Sequence, residues 1–296
     1  MFRLTRPRSL VLLSVLLGSA AVAATTSALL MQPERIDTSR LRQTFAEEFD
    51  KELLASKRWT QGSAADRLDE RTIVWNAERQ VYFSPDWLGL GIQPVSIANG
   101  LLTITARPLS PQEKAVVRSN IAGVPEWARK PALERLDYAS GRITTRDRFA
   151  QRYGYFEARV RYSPGRGLWP AVWLLPADRS WPPEIDIMEA LGHEPAVAYQ
   201  TIHSAAQERQ GIKVDLNASD SGYHLYGVMW GAKTIDTYVD GVKTGSFKTP
   251  SDAHKPMYLI VNLAVGGHWP GYPDASTKFP ATMEVDYVRA WRHPGT

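Results

Sequence analysis

The chain has 296 residues and a mass of 33.1 kDa; 44% of it is hydrophobic and 22% charged, enough for a large core and against wholesale disorder. Cysteine is absent, which excludes a disulfide framework, Cys-ligated zinc or iron–sulfur centres, thiol catalysis and a lipid-bearing cysteine anchor. The net charge is +4, but Arg3, Arg6 and Arg8 carry three of those charges, so the rest of the chain is near neutral and implies no nucleic-acid partner.

In chain order, the first element reads as an export signal over residues 1–23. A basic stretch to Ser9 precedes an apolar run from Leu10, and Ala21-Val22-Ala23 offers a small-x-small cleavage pattern. The run is shorter than the roughly 20 residues that span a bilayer. A secreted or periplasmic protein is therefore expected, with no membrane association after cleavage. Residues 24–43 read as an N-terminal tail, and residues 44–296 as one domain.

From Phe45 onward, short apolar runs alternate with turn residues. Asn99-Gly100 leads into a strand from Leu101 to Ala106, and Tyr155 to Tyr162 alternates at period two. Asp240-Gly241 between Ile235–Val239 and Val242–Phe247 is the strongest hairpin signal in the chain. Tyr258–Val265 is almost continuously apolar, as in a strand covered on both faces, and Met283–Trp291 alternates again. The stretch Pro111–Leu136, interrupted by Pro125 and Pro131, reads as an inserted loop with one short helix. Many short strands with frequent Gly and Pro turns predict a single all-β sandwich.

One segment carries chemistry: Glu184-Ile185-Asp186-Ile187-Met188-Glu189. Strand alternation places Glu184 and Asp186 on one face and Ile185 and Ile187 on the other. Glu189 follows Glu184 by an odd number of residues and would face away in a regular strand. A bulge near Ile187-Met188 would return it to the acidic face. Three crowded carboxyls cannot all ionise easily, so at least one keeps its proton near neutrality. A carboxylate beside a carboxylic acid is the equipment for cleaving a glycosidic bond. The two glutamates would be about 13 Å apart at Cα, close enough for the carboxyls to lean to the roughly 5–5.5 Å of retaining enzymes.

These residues resemble the bulged motif of glycoside hydrolase family 16, the laminarinase-like β-glucanases. The resemblance extends in order from about Thr44 to Trp291. It includes Gly154–Arg159, Gly167–Pro176, Thr201-Ile202-His203, His224–Trp230, Asn262–Gly267 and Val285–Arg289. It implies a concanavalin-like β-jelly-roll of two bent antiparallel sheets with a concave substrate cleft, acting as a monomer on a polysaccharide. By carry-over Glu184 is the nucleophile, Glu189 the acid/base, and Asp186 the residue that sets the nucleophile's protonation. Trp169, Trp173, His203 and Trp269 would meet substrate, although core packing also accounts for the first two. No cofactor is required; Glu48 and Asp286 match positions that hold a structural calcium in relatives. The resemblance implies endo-cleavage of a β-1,3 or β-1,3/1,4 glucan or of a bacterial exopolysaccharide, with transglycosylation or glucan binding alone as alternatives. No basic cluster in the cleft segments recommends a sulfated polymer.

Overall fold

A computed structural model describes residues 33–51, 57–61, 71–73, 76–120, 124–217 and 222–294; the expected export signal lies outside them. The described residues form sixteen strands in two sheets. The larger sheet runs β14 (Val242–Lys248), β13 (Thr234–Val239), β12 (His224–Trp230), β7 (Gly154–Tyr162), β16 (Ala281–Arg292), β4 (Leu101–Pro108), β5 (Tyr138–Ser140) and β2 (Gln80–Tyr82). Beside this path β1 (Arg42–Glu47) pairs with β16, and β3 (Val95–Ala98) with β4. The smaller sheet runs β11 (Gln210–Asp215), β10 (Val197–His203), β9 (Glu184–Glu189), β8 (Leu168–Pro176), β15 (Met257–Val265) and β6 (Arg142–Thr144). Among the described residues the pairing is antiparallel, as expected, except that β2 lies parallel to β5.

The predicted Asn99-Gly100 turn and the predicted Asp240-Gly241 hairpin both form for the reason the turn residues suggest. Asn99 and Gly100 adopt φ of 54° and 73°, and Asp240 and Gly241 adopt 50° and 74°, the left-handed pair that two-residue turns require. The apolar halves of the alternating strands meet between the sheets. Ile185, Ile187 and Met188 of β9 are fully buried in this core with Phe156, Val228 and Trp230 of the facing sheet. Every residue of β15 is buried; it is flanked by β8 and β6, and Asn262 on it donates to the Tyr82 hydroxyl.

Two expectations need correction. Residues 33–43, the second half of the expected tail, belong to the sandwich: Ile36 N–H donates to Gly241 O, Lys243 N–H donates to Glu34 O, and β1 begins at Arg42. The insertion Pro111–Leu136 holds two helices rather than one, α1 (Pro111–Ser119) and α2 (Glu126–Arg135). Ser110 and Glu113 form a capping box that starts α1. Pro125 immediately precedes α2 instead of breaking it, and α2 continues through Pro131. Val117 and Ala128 bury against Val81 and Phe83, a small second core that fastens the helices to β2. Among the described residues no helix is long and apolar enough to cross a membrane.

Candidate active site

The acidic segment is β9, in the middle of the smaller sheet. Its pairing shows the bulge. Val172 of β8 faces Met188 while Trp173 faces Asp186, so Ile187 is the extra residue; on the other side Tyr199 and Thr201 of β10 face Glu189 and Asp186. A bulge leaves a ladder carbonyl without a partner. Gln200, fully buried opposite it, donates from Nε2 to Ile187 O at 2.8 Å, while its Oε1 accepts from Thr244 Oγ1 at 2.9 Å. Gln200→Leu keeps the volume but orphans that carbonyl in the core. The expected result is a loss of about 1–3 kcal/mol in denaturant unfolding. Turnover should fall with it by roughly ten- to a hundredfold, because Glu189 loses its aim.

All three acids face the concave side. Asp186 is 2% exposed and its Oδ2 makes no hydrogen bond; Glu184 and Glu189 are half-buried. Burial pushes the Glu184 carboxyl up, opposed by His203 and by the indole N–H of Trp181. Burial, then the charge of Glu184, pushes Asp186 well above the usual carboxylate range. Burial, then Asp186 and Glu184, does the same to Glu189, against the Trp169 N–H that favours its ionised form. Glu184 is thus the acid readiest to ionise, and Glu189 is held as a protonated acid.

Trp169 donates from Nε1 to Glu189 Oε1 at 3.0 Å, and its ring meets the edge of Trp269 at 5.4 Å. Trp269, 40% exposed, also packs against Tyr199 at 4.9 Å, which makes an aromatic group beside Glu189. Trp173 lies on the same face, its Nε1–H held by Asn262 Oδ1 at 2.7 Å; Asn262 in turn donates to the Tyr82 hydroxyl. His203 pairs with Glu184 across the ladder, and its Nε2 is 3.6 Å from Glu184 and 3.3 Å from Asp186. It therefore sits with Glu184 and Asp186, and its charge also bears on Glu189.

Sequence reasoning does not single out Trp181, 63% exposed, which donates from Nε1 to Glu184 Oε2 at 2.9 Å. Its one signal is proximity to the motif, obscured by Pro182-Pro183. Nor does it find Tyr199, Asn262 or Gln200, whose positions depend on neighbouring strands. Glu48 forms a two-bond pair with Arg289, and Asp286 bonds Arg159 at 2.7 Å. These side chains are spent on guanidinium groups and do not fit a shared calcium ion.

An open β-sandwich with three crowded acids on its concave floor and tryptophans beside them is the jelly-roll class equipped for acid–carboxylate chemistry. Residues 98–289 match the model of the glycosyl hydrolases family 16, and the chain belongs to that family. It is 37% identical to the endo-1,3-1,4-beta-glycanases ExsH and EglC of Rhizobium meliloti (strain 1021), over 93% and 94% of its length. It spans 57% and 58% of the length of those two relatives. Among solved structures, the endo-beta-1,3-glucanase of Pyrococcus furiosus superposes with a TM-score of 0.69 at 29% identity, covering 88% of this chain and 97% of that one. The laminarinase catalytic domain of Thermotoga maritima MSB8 gives 0.68 at 27% identity, covering 85% and 98%.

Proposed function

We propose that the chain is a retaining endo-β-glycanase that cuts β-1,3 or β-1,3/1,4 linkages inside a glucan or bacterial exopolysaccharide. The observation that carries this is the bulged β9. It sets Glu184, Asp186 and Glu189 on one concave face and gives the two glutamates different protonation tendencies. The relatives named above, glycanases and glucanases by description, support the substrate class.

In this reading ionised Glu184 attacks the anomeric carbon while protonated Glu189 gives its proton to the departing glycosidic oxygen. The C–O bond breaks as the glycosyl ester forms. Glu189, now a carboxylate, takes a proton from water. That water attacks the anomeric carbon, breaks the ester and returns Glu184 as carboxylate and Glu189 as acid. Asp186, neutral through burial, keeps negative charge off the Glu184 neighbourhood. Trp169, Trp269 and Trp173 offer faces and edges on which sugar rings stack, and His203 lies within reach of the sugar at Glu184. No calcium and no cofactor enters a step. We place the protein outside the cytoplasm, secreted or periplasmic and monomeric, in keeping with the export signal of residues 1–23 and a polymeric substrate.

The test is an oligosaccharide-profile and reducing-end assay of the full chain on laminarin, mixed-linkage β-glucan, agarose, carrageenan and an acetylated bacterial exopolysaccharide. NMR of the first-formed anomer accompanies it. Internal cuts in a β-glucan or exopolysaccharide with a β-configured product are expected; an α product, or no cleavage of any polymer, overturns the reading.

The protonation scheme makes its own prediction. The acid limb of the kcat/KM profile belongs to Glu184 and should lie above the ordinary glutamate value of about 4.3. Trp181→Phe removes a donor to the ionised form, so that limb should move up by about one pH unit. A limb that stays in place would detach Trp181 from the nucleophile.

A further inference from the structure

The concave face is not uniform in charge, and its β6 flank is basic. Arg142 and Thr144 of β6 pair with Asn262 and Ile260 of β15. The pairing continues past the strand end, since Thr145 N–H donates to Leu259 O at 2.9 Å and Leu259 N–H donates to Thr145 Oγ1 at 2.9 Å. Alternation then sets Arg142, Thr144 and Arg146 on the cleft side, with Arg146 beside Tyr258. Tyr258 pairs with Leu175, and Leu175 stands next to Glu184 in the register that places Leu174 opposite Ile185. Arg146 therefore lies on the same transverse row as Glu184, three strand spacings or about 14 Å away.

Arg179 reaches this flank from the turn after β8. Its Nη2 is 3.7 Å from Asp147 Oδ2, and Arg146 Nε is 4.0 Å from the same oxygen. Both separations exceed a hydrogen bond, so two guanidiniums share one exposed carboxylate without a fixed geometry. A cavity of about 230 Å³ opens here, with Arg146, Asp147, Arg148, Phe149, Ala177 and Tyr258 in its lining. The charges of Arg146, Arg142 and Arg179 all bear on the Tyr258 hydroxyl. Of the other charges nearby, Arg142 is shared with buried Glu78 and stacks on Tyr82, Lys255 and Asp178 pair at 2.9 Å, and Arg148 adds a further positive charge at the cavity wall. The result is a net positive pocket in line with the acids, with planar donors and a tyrosine hydroxyl.

Resting on the glycanase reading above, we infer that this flank is a subsite for an anionic substituent, a carboxylate or sulfate, carried by the glycan a few sugars from the cleavage point. Guanidinium forks suit either group, and each such contact within the cleft strengthens binding without touching the reacting bond. Arg142, Arg146 and Arg148 lie close together in the sequence, but Arg179 comes from a second segment that meets them only in the folded sheet.

The experiment is affinity electrophoresis of the full chain in gels containing mixed-linkage β-glucan, its carboxymethyl derivative or its sulfated derivative, with cleavage of each polymer followed separately. The wild type should bind at least one derivative more tightly than the parent glucan. The double variant Arg146→Gln/Arg179→Gln should lower that affinity ratio roughly tenfold. A control with the same charge loss elsewhere, Arg118→Gln/Lys248→Gln, should retain it. The arm that keeps the preference tells carboxylate from sulfate. A wild-type ratio of one, a ratio unchanged in the double variant, or an equal drop in the control overturns the subsite. Absence of cleavage in every gel would instead remove the glycanase reading, while the binding ratio would still judge the subsite.

Discussion

Glu184→Ser is expected to reduce turnover of a cleaved polymer by about four orders of magnitude or more while leaving the fold and glycan binding in place. Serine at this position has no ionised oxygen to attack the anomeric carbon, and no other carboxyl can replace it. Asp186 is buried and held neutral, and Glu189 is committed to the leaving oxygen. The fold should survive because Glu184 is half-buried and its core-facing neighbours Ile185 and Ile187 are untouched. Retention in a polysaccharide-containing gel, with a melting temperature no lower than that of the wild type, would separate loss of chemistry from loss of structure. A variant that still turns over at a tenth of the wild-type rate would remove Glu184 from the nucleophile's role.

Glu189→Gln should act on activity and stability in opposite directions. Without an acid at the leaving oxygen, polymer cleavage should drop by about three orders of magnitude. The stability effect comes from the raised pKa. Below the unfolded value, near 4.3, both states are protonated and the carboxyl costs the fold nothing extra. As pH rises, the unfolded chain ionises first while the folded protein still holds the proton, so the native state binds more protons and stability falls. Glutamine has no such proton to lose. The variant should therefore melt above the wild type at pH 7, and together with it below pH 4. Melting curves across pH check this, and equal wild-type and variant temperatures at pH 7 would contradict the strained acid cluster. Such a cluster is stability given up for reactivity.

The motif's local geometry is legible in the residues themselves, because an odd spacing between two acids on a half-buried strand has only one economical remedy, an inserted residue. The same holds for the Asn99-Gly100 and Asp240-Gly241 turns, where the side chains dictate a left-handed backbone. The two helices of the insertion are also encoded locally. The capping box of Ser110 and Glu113 marks the start of the first, and Pro125, a residue that ends helices elsewhere, introduces the second.

What the chain alone determined is therefore of short range: strand periodicity, turn chemistry, and three acids on one face of one strand. The placement of everything around those acids belongs to the tertiary structure. Gln200 meets Ile187 O, Trp169 meets Glu189, and His203 meets Glu184, through the lateral register of β8, β9 and β10. Asp286 turns to Arg159 and Glu48 to Arg289 because β16 lies beside β7 and β1. In a sheet, residues far apart in sequence become neighbours across a gap of less than about 5 Å. Periodicity along one strand states which face a side chain takes, and only the pairing of strands decides whom it meets there.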